Sequence, residues 1–449
     1  MTVAVAKTKA EQALGQQFEA IAGALPGSGW VGDLRREAIG AFQALGLPSR
    51  RVEAFKYTDL RQRISNAYAP GAGDIPVAGD DIDAALGPLA GIDADRLVLV
   101  NGIYRDDLST RDGFGAEIEF IALGPLLAKA PAWFAGKFAA GRVGEFDAVT
   151  ALNAAYMRDG VMLKVKPGQS AQRPIVLVHA RAGGDVAAFS RNIIAIEEGA
   201  SALLIEVFVA VGGAGAGQDN SFADVTVAAG ASFEHVVCRI GDGREQDVAH
   251  TVTDVGADAT YRSFHLLAGA GLARHQALLK LTGEGGRIDA SGAILGRGRD
   301  HMDATLVVDH LVPNCRSREH YKAVLDDEAR GVFQGKVIVR PGAQKTDGKM
   351  MAQALMLGAG AEFDSKPELE IYADDVQCGH GSTCDDLDKD QLFFCRSRGL
   401  SEGEARALLV RAFVGDVLTR VEDEALRGAL EAIADAWLSG DGKGGIANG

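Results

Sequence analysis

The chain has 449 residues, 47% hydrophobic and 24% charged, enough for two or three domains with a large core and too apolar for wholesale disorder. Its net charge of −15 excludes nucleic acid and an anionic membrane surface as main partners. Glycine is abundant at 57 residues and aromatics make up only 6%, a mix suited to tight turns between short strands.

The opening MTVAVAKTKAEQ has no basic segment followed by an apolar one, so no export signal is expected and the protein is expected in the cytoplasm. The longest uncharged stretch, Ala20–Gly32, has 13 residues, short of the roughly 18 that a spanning helix needs. Asp33 is expected to cap a helix with Leu34, Ala38, Ala41, Phe42 and Leu45 on one face, ended by Gly46 and Pro48. RRVEAFKYTDL (Arg50–Leu60) follows, dense in charge and aromatic residues. Residues 61–95 read as a connection, followed by a short strand LVLVNG (Leu97–Gly102) and an apolar helical segment around Pro125–Phe138.

From about Val161 the texture changes. Short β-rich runs succeed one another, from VMLKV (161–165) and PIVLV (174–178) to KVIV (336–339). Many are separated by a Gly-Ala turn, as in EEGASALLIE (Glu197–Glu206), AAGASFEHVV (Ala228–Val237), VGADATYRSF (Val255–Phe264) and GAGAEFDSKP (Gly358–Pro367). Gly199, Gly230 and Gly256 lie 31 and 26 residues apart. Loose self-similarity without intervening helices predicts a β-solenoid, with helical caps at its ends protecting the sheet edges. A large β-sandwich is the alternative reading of the same alternation.

The last part returns to helix. Asp388 with Gln391, and Ser401 with Glu404, form expected capping boxes. The second opens a helix with Ala405, Leu408, Leu409, Ala412 and Phe413 on one face, and a last helix carries Leu426, Leu430, Ile433 and Trp437. The tail SGDGKGGIANG is expected to be disordered.

The five cysteines, Cys238, Cys315, Cys378, Cys384 and Cys395, are odd in number and few, so reduced thiols are expected rather than a disulfide framework. The densest chemical cluster is DDVQCGHGSTCDDLDKDQLFFCRSRG (Asp374–Gly399), spaced C-x-H-x3-C-x10-C. Thiolate and imidazole ligands at this density suit a thiophilic metal, but the spacing is neither a zinc-finger nor a ferredoxin pattern, so no permanent metal site is expected. Cys395 is expected to face helix neighbours beside Phe393 and Phe394. His235, His250, His265, His275, His301, His310 and His320 read as structural residues of strands. No G-x-x-x-x-G-K-[ST], G-x-S-x-G or H-E-x-x-H occurs, so neither ATP hydrolysis nor any other catalysis is expected of this chain alone.

Several long blocks, in order along the chain, resemble the SufB/SufD family of the SUF iron–sulfur cluster assembly machinery. They are SREHYKAVL (Ser317–Leu325), GVFQGKVIV (Gly331–Val339), AQKTDG (Ala343–Gly348), KPELEIYADDVQCGHGST (Lys366–Thr383) and DQLFFCRSRGL (Asp390–Leu400). Near the front, VEAFKYTDL (Val52–Leu60) is similar to that family's E-x-[WF]-[KR]-Y-T-x-[LF]. CGHGST resembles the C-[ST]-H-G-A-T of the SufD branch, whereas the SufB branch carries His-Glu-Ala-Thr and a cysteine that aligns with Ala352. Cys395, however, matches a position more often cysteine in the SufB branch.

The resemblance implies a mainly β fold, a right-handed parallel β-helix flanked by helical domains. The boundaries are then 1–155 for a mostly helical domain with its connection, 156–384 for the β-helix, 385–438 for a second helical domain and 439–449 for the tail. It also implies a non-catalytic scaffold that pairs with a SufB-type subunit and binds a SufC-type ABC ATPase through its C-terminal helices. Pairing of two copies into a homodimer when the chain is alone is left open by the sequence. No cofactor is held permanently; a transient iron–sulfur cluster shared with the SufB-type partner would meet His380, the candidate cluster-assembly ligand, and Cys378 beside it. Rival readings are a SufB-like scaffold, a β-helical polysaccharide-active enzyme, and a stand-alone zinc protein using Cys378, His380 and Cys384.

Overall fold

A computed structural model describes residues 6–135 and 148–440. From Gly184–Ile196 to Gln377–Asp385, each strand pairs in parallel with the strand two before it in the chain and not with its immediate predecessor. Successive strands therefore alternate between two sheets, of ten and nine strands among the described residues. The result is a β-solenoid of about eight turns. Asp95–Val100, read as an isolated strand, belongs to it, pairing in parallel with Ile175–Arg181 in what we call the first sheet.

The recurring Gly-Ala turns make the corners. Gly199 and Gly230 take φ of 64° and 66°, a left-handed conformation that glycine adopts without a Cβ penalty. They also stack: a Cβ on Gly230 would lie 4.0 Å from the Gly199 Cα. The alanines that follow, Ala200 and Ala231, turn inward and are buried, small enough for the narrow edge between the sheets. Between corners, alternate residues face inward. Leu177, Leu204, Phe233 and Tyr261 of the first sheet meet Val225, Val255, Leu279 and Val308 of the second in one continuous core.

The outward residues are apolar as well, as expected of parallel strands buried on both faces. This overturns the expectation of end caps, because the helices are drawn onto the faces of the sheets rather than their ends. Val207, Val236, Leu266 and Val324 on the outer face of the first sheet pack against Val410, Val414, Val417 and Leu430 of the C-terminal helices. Leu14, Phe42, Phe55 and Tyr156 pack against Phe189, Val248 and Leu272 on the outside of the second sheet.

Several helical details differ from the sequence reading. A helix over Lys9–Ile21, opened by a Thr8–Glu11 capping box, precedes the expected one. The next runs Trp30–Leu45 from a Gly29 cap, so Asp33 lies in its first turn; Val31, Ala38, Ile39 and Phe42 are buried while Leu45 is 65% exposed. The connection 61–95 contains a helix, Gly79–Leu86, whose Ile82 and Leu86 join the outer core of the first sheet. The apolar segment around 125–138 is helical over Leu123–Lys129 and Ala132–Ala135, with Ala130 and Pro131 between them; residues 136–138, like residues 441–449 of the tail, lie outside the described residues. In Glu402–Leu418 the buried residues are Ala405, Val410, Val414, Val417 and Leu418, with Leu408 exposed. Of the expected stripe, Ala405 is buried and Leu409 and Phe413 pack against the same core, whereas Leu408 and Ala412 are exposed. The last helix buries Leu426, Leu430, Ile433 and Trp437 as expected.

Candidate functional site

Cys378 and His380 sit on Gln377–Asp385, the final strand of the first sheet. This strand pairs with Asp347–Met356, placing Cys378 opposite Gly348 and His380 opposite Met350. Side chains alternate along a strand, so Cys378, His380, Ser382 and Cys384 share the face that is the inner face in earlier turns. Cys378 still packs against the core there. Among the described residues no later turn covers the strand, and its neighbour in the other sheet, Glu362–Ile371, is likewise the last of its sheet. Both bear marks of exposed edges. Glu362–Ile371 includes Pro367, which has no N–H to offer a further strand, and Gln377–Asp385 has no fully buried residue.

His380 is exposed, and no hydrogen bond or ion pair joins it to another described residue. Asp375 is occupied elsewhere: its carboxylate pairs with Lys345. Half-burial raises the Cys378 thiol above its ordinary pKa, an effect only partly offset by the Gly348 amide. Gly348 leaves space beside the sulfur, since a Cβ there would lie 3.6 Å from Cys378 Sγ and 3.4 Å from Ser317 Oγ. A cleft of about 660 Å³ at this end of the sheet is lined by Cys378, Gly379, His380 and Gly381 together with Arg318, His320, Lys349, Met351 and Arg420.

Behind the final strand, the register line through His380 and Met350 continues to Glu319. This carboxyl is buried inside the solenoid, and burial pushes its pKa to about 8. It lies within the SREHYKAVL block, where spacing alone does not tell an inward strand residue from an outward one. Ala352 is fully buried opposite Ser382.

Cys384 shares the Cys378 face but lies six residues further along an extended strand, about 20 Å away at 3.3 Å per residue. One ion cannot bridge them, which removes the geometric basis of the zinc reading. Among the described residues, no group of three or more His, Cys, Asp or Glu side chains is arranged to hold a metal. Cys395 is half-buried on the helix Lys389–Ser397, where Phe393 and Phe394 are exposed rather than packed. The strand histidines are bonded within the fold: His310 to the Ser317 hydroxyl, His265 to Tyr321, His275 to Thr251. VEAFKYTDL proves to be a clasp. Buried Phe55 lies under the Arg274 guanidinium, and the Thr58 hydroxyl donates to Asp303 and lies 2.9 Å from His301 Nε2.

The family described as SUF system FeS cluster assembly, SufBD core domain, matches residues 178–413, and the SufBD protein N-terminal region matches residues 24–177. The chain is 31% identical over 392 residues to the iron-sulfur cluster assembly protein SufD of Escherichia coli (strain K12), covering 85% of this chain and 87% of that one. It is 26% identical over 408 residues to an iron-sulfur cluster assembly SufBD family protein of Synechocystis, covering 88% of each. Against SufD of Bacillus subtilis (strain 168) identity is 25% over 288 residues, 64% of this chain and 66% of that one. The chain belongs to the SufB/SufD family of the iron–sulfur cluster assembly system. Within that family it is a SufD homologue.

Proposed function

We propose that the chain is a non-catalytic, cytoplasmic scaffold on which an iron–sulfur cluster is assembled as cargo. The observation that supports this reading best is the uncovered final turn of the solenoid. Two sheet edges end side by side there, and unpaired edges invite a strand-bearing partner. That turn presents His380 without an internal partner and Cys378 beside it. A SufB-type subunit docked on this end would bring its own cysteine to the same place, so the nascent cluster would be held between two chains rather than caged in one. Without that partner, the same edges would pair two copies of this chain.

A SufC-type ATPase would dock on the C-terminal helices. Phe393 and Phe394, at 73% and 54% exposure, and exposed Leu408 give them an apolar surface of the kind that marks an interaction site. The test is an affinity pull-down of the tagged full chain from its native cell. Co-purification of an ABC-type ATPase and a SufB homologue is expected, with no ATP hydrolysis by the chain alone. Recovery of neither protein, or ATP turnover that follows this polypeptide through purification, would overturn the reading.

A further inference from the structure

The outer surface of the first sheet carries an arrangement of charge that the cluster-assembly reading does not use. Thr260, Arg287 and Arg316 share one register line across three adjacent strands, and Arg262, Asp289 and Arg318 share another. Lys349 continues the second line beside Arg318. Arg287 and Arg316 are therefore direct neighbours, with strands about 4.8 Å apart, and so are Arg318 and Lys349. Like charges placed directly opposite destabilise a sheet. The second sheet avoids this: Arg330 stands opposite Glu362 at 3.4 Å and Lys336 opposite Glu368 at 3.9 Å. On this surface Asp347 does stand opposite Arg316 and Asp289 separates Arg262 from Arg318, so the like-charge neighbours are the pairs Arg287–Arg316 and Arg318–Lys349.

Arg420, just beyond the helix Glu402–Leu418, closes one side. Together with Arg262, Arg287, Arg316 and Arg318 it lines a cleft of about 310 Å³, with Thr260 and Asp289. The internal ion pairs leave part of this charge uncompensated. Arg420 is met by Asp289 at 3.2 Å, Arg262 by Glu422 at 3.1 Å and Arg318 by Asp347 at 2.5 Å. Among the described residues Arg316 reaches only that same Asp347, at 3.9 Å. Arg287 has no ion pair among the described residues. Two adjacent guanidinium groups therefore face the cleft without a full counter-charge.

We propose that this cleft binds a small phosphate-type oxyanion, either free or as the diphosphate of a nucleotide. Guanidinium forks match phosphate oxygens in bidentate geometry. An oxyanion seated between Arg287 and Arg316 turns a like-charge clash into a pair of charge-assisted hydrogen bonds. The cleft shares Arg318 and Arg420 with the one bordering Gly379 and Gly381, so the two sites adjoin.

The test is thermal unfolding and calorimetry of the full chain with inorganic phosphate, inorganic diphosphate and ADP, ionic strength being held constant with sodium chloride. At least one probe is expected to bind and raise Tm. Arg287→Gln and Arg316→Gln should weaken that binding about tenfold or more without lowering the Tm of the unliganded protein, because each relieves repulsion. Arg299→Gln, outside the cleft, should bind as the native chain does. A preference for ADP over both inorganic ions would identify a nucleotide ligand, and equal binding of diphosphate and ADP the bare diphosphate group. Binding by none of the three, or binding that survives Arg287→Gln and Arg316→Gln, would overturn the proposal. Either result leaves the His380 reading untouched, since that is judged by cluster formation.

Discussion

His380 lies directly opposite Met350 across the last strand pair of the first sheet, and beyond it the sheet ends. A side chain so placed contributes little to folding. His380→Ala should therefore shift stability by no more than about 0.5 kcal/mol in urea denaturation and leave partner assembly intact. It should nevertheless reduce cluster formation, measured by complementation of a strain lacking the protein under iron limitation or oxidative stress. Cys378→Ala should do less, because that thiol is half-buried and its pKa is raised. Full rescue by His380→Ala would make this histidine structural only.

Glu319 gives the interior a pH dependence. Its carboxyl titrates near 8 in the folded protein against an ordinary 4.5, and burial is the largest cause. Between those values the unfolded chain has lost the proton and the folded chain retains it, so stability falls as pH rises through the window, by at most about 1.4 kcal/mol per unit. Glu319→Gln cannot titrate. Its stability relative to the native chain should rise from pH 5 to pH 8, read from urea midpoints; a constant difference would show that Glu319 is ionised throughout.

The docking surface can be separated from the core. Cutting the chain at Ser401 would strip Val410, Val414, Leu430 and Trp437 from the outer face of the first sheet; losing an aromatic core residue alone costs about 3–5 kcal/mol. Truncation therefore confounds docking with folding. Phe393→Ser with Phe394→Ser removes exposed rings only. This double variant should keep its Tm within about 2 °C and lose capture of the ATPase. Undiminished capture would place the docking surface elsewhere.

Thr58 ties the N-terminal region to the second sheet through Asp303 and His301. Thr58→Val keeps the volume but leaves buried polar groups short of a partner, a cost of about 1–3 kcal/mol. Hydrogen exchange should quicken over Leu60–Arg63 and neighbouring segments while the amides of the central turns stay protected. Uniform exchange changes across the chain would contradict a local clasp.

Much of this was legible in the sequence. The Gly-Ala turns pointed to the solenoid because successive corners share two demands, a left-handed backbone at Gly199 and Gly230, taken by Asp258 rather than Gly256 in the next turn, and a small inward side chain at Ala200, Ala231 and Ala259. CGHGST points to His380 because it resembles the SufD-branch motif and lies in the densest cysteine–histidine segment of the chain. What stayed hidden depends on the third dimension. Whether helices cap ends or cover faces follows from which side of each strand is apolar, and parallel strands are apolar on both. The stacking of Arg287 on Arg316, 29 residues apart in the chain, needs the register between turns, and no local pattern encodes that.

The solenoid pairs each strand with chain one turn away: Tyr261 stands opposite Phe233, and Arg330 opposite His301. Every loop to be closed thus has nearly the same modest length, and folding can spread from any turn to the next. In such a stack each turn draws its stability from the turns on either side, so one with a single neighbour opens most readily. Among the described residues the strand Gln377–Asp385 is hydrogen-bonded to one strand alone, Asp347–Met356. Its backbone amides should exchange soonest in the isolated chain and slow when a partner lends the missing turn, which makes ordering of the Cys378–His380 strand and recruitment of that partner one equilibrium.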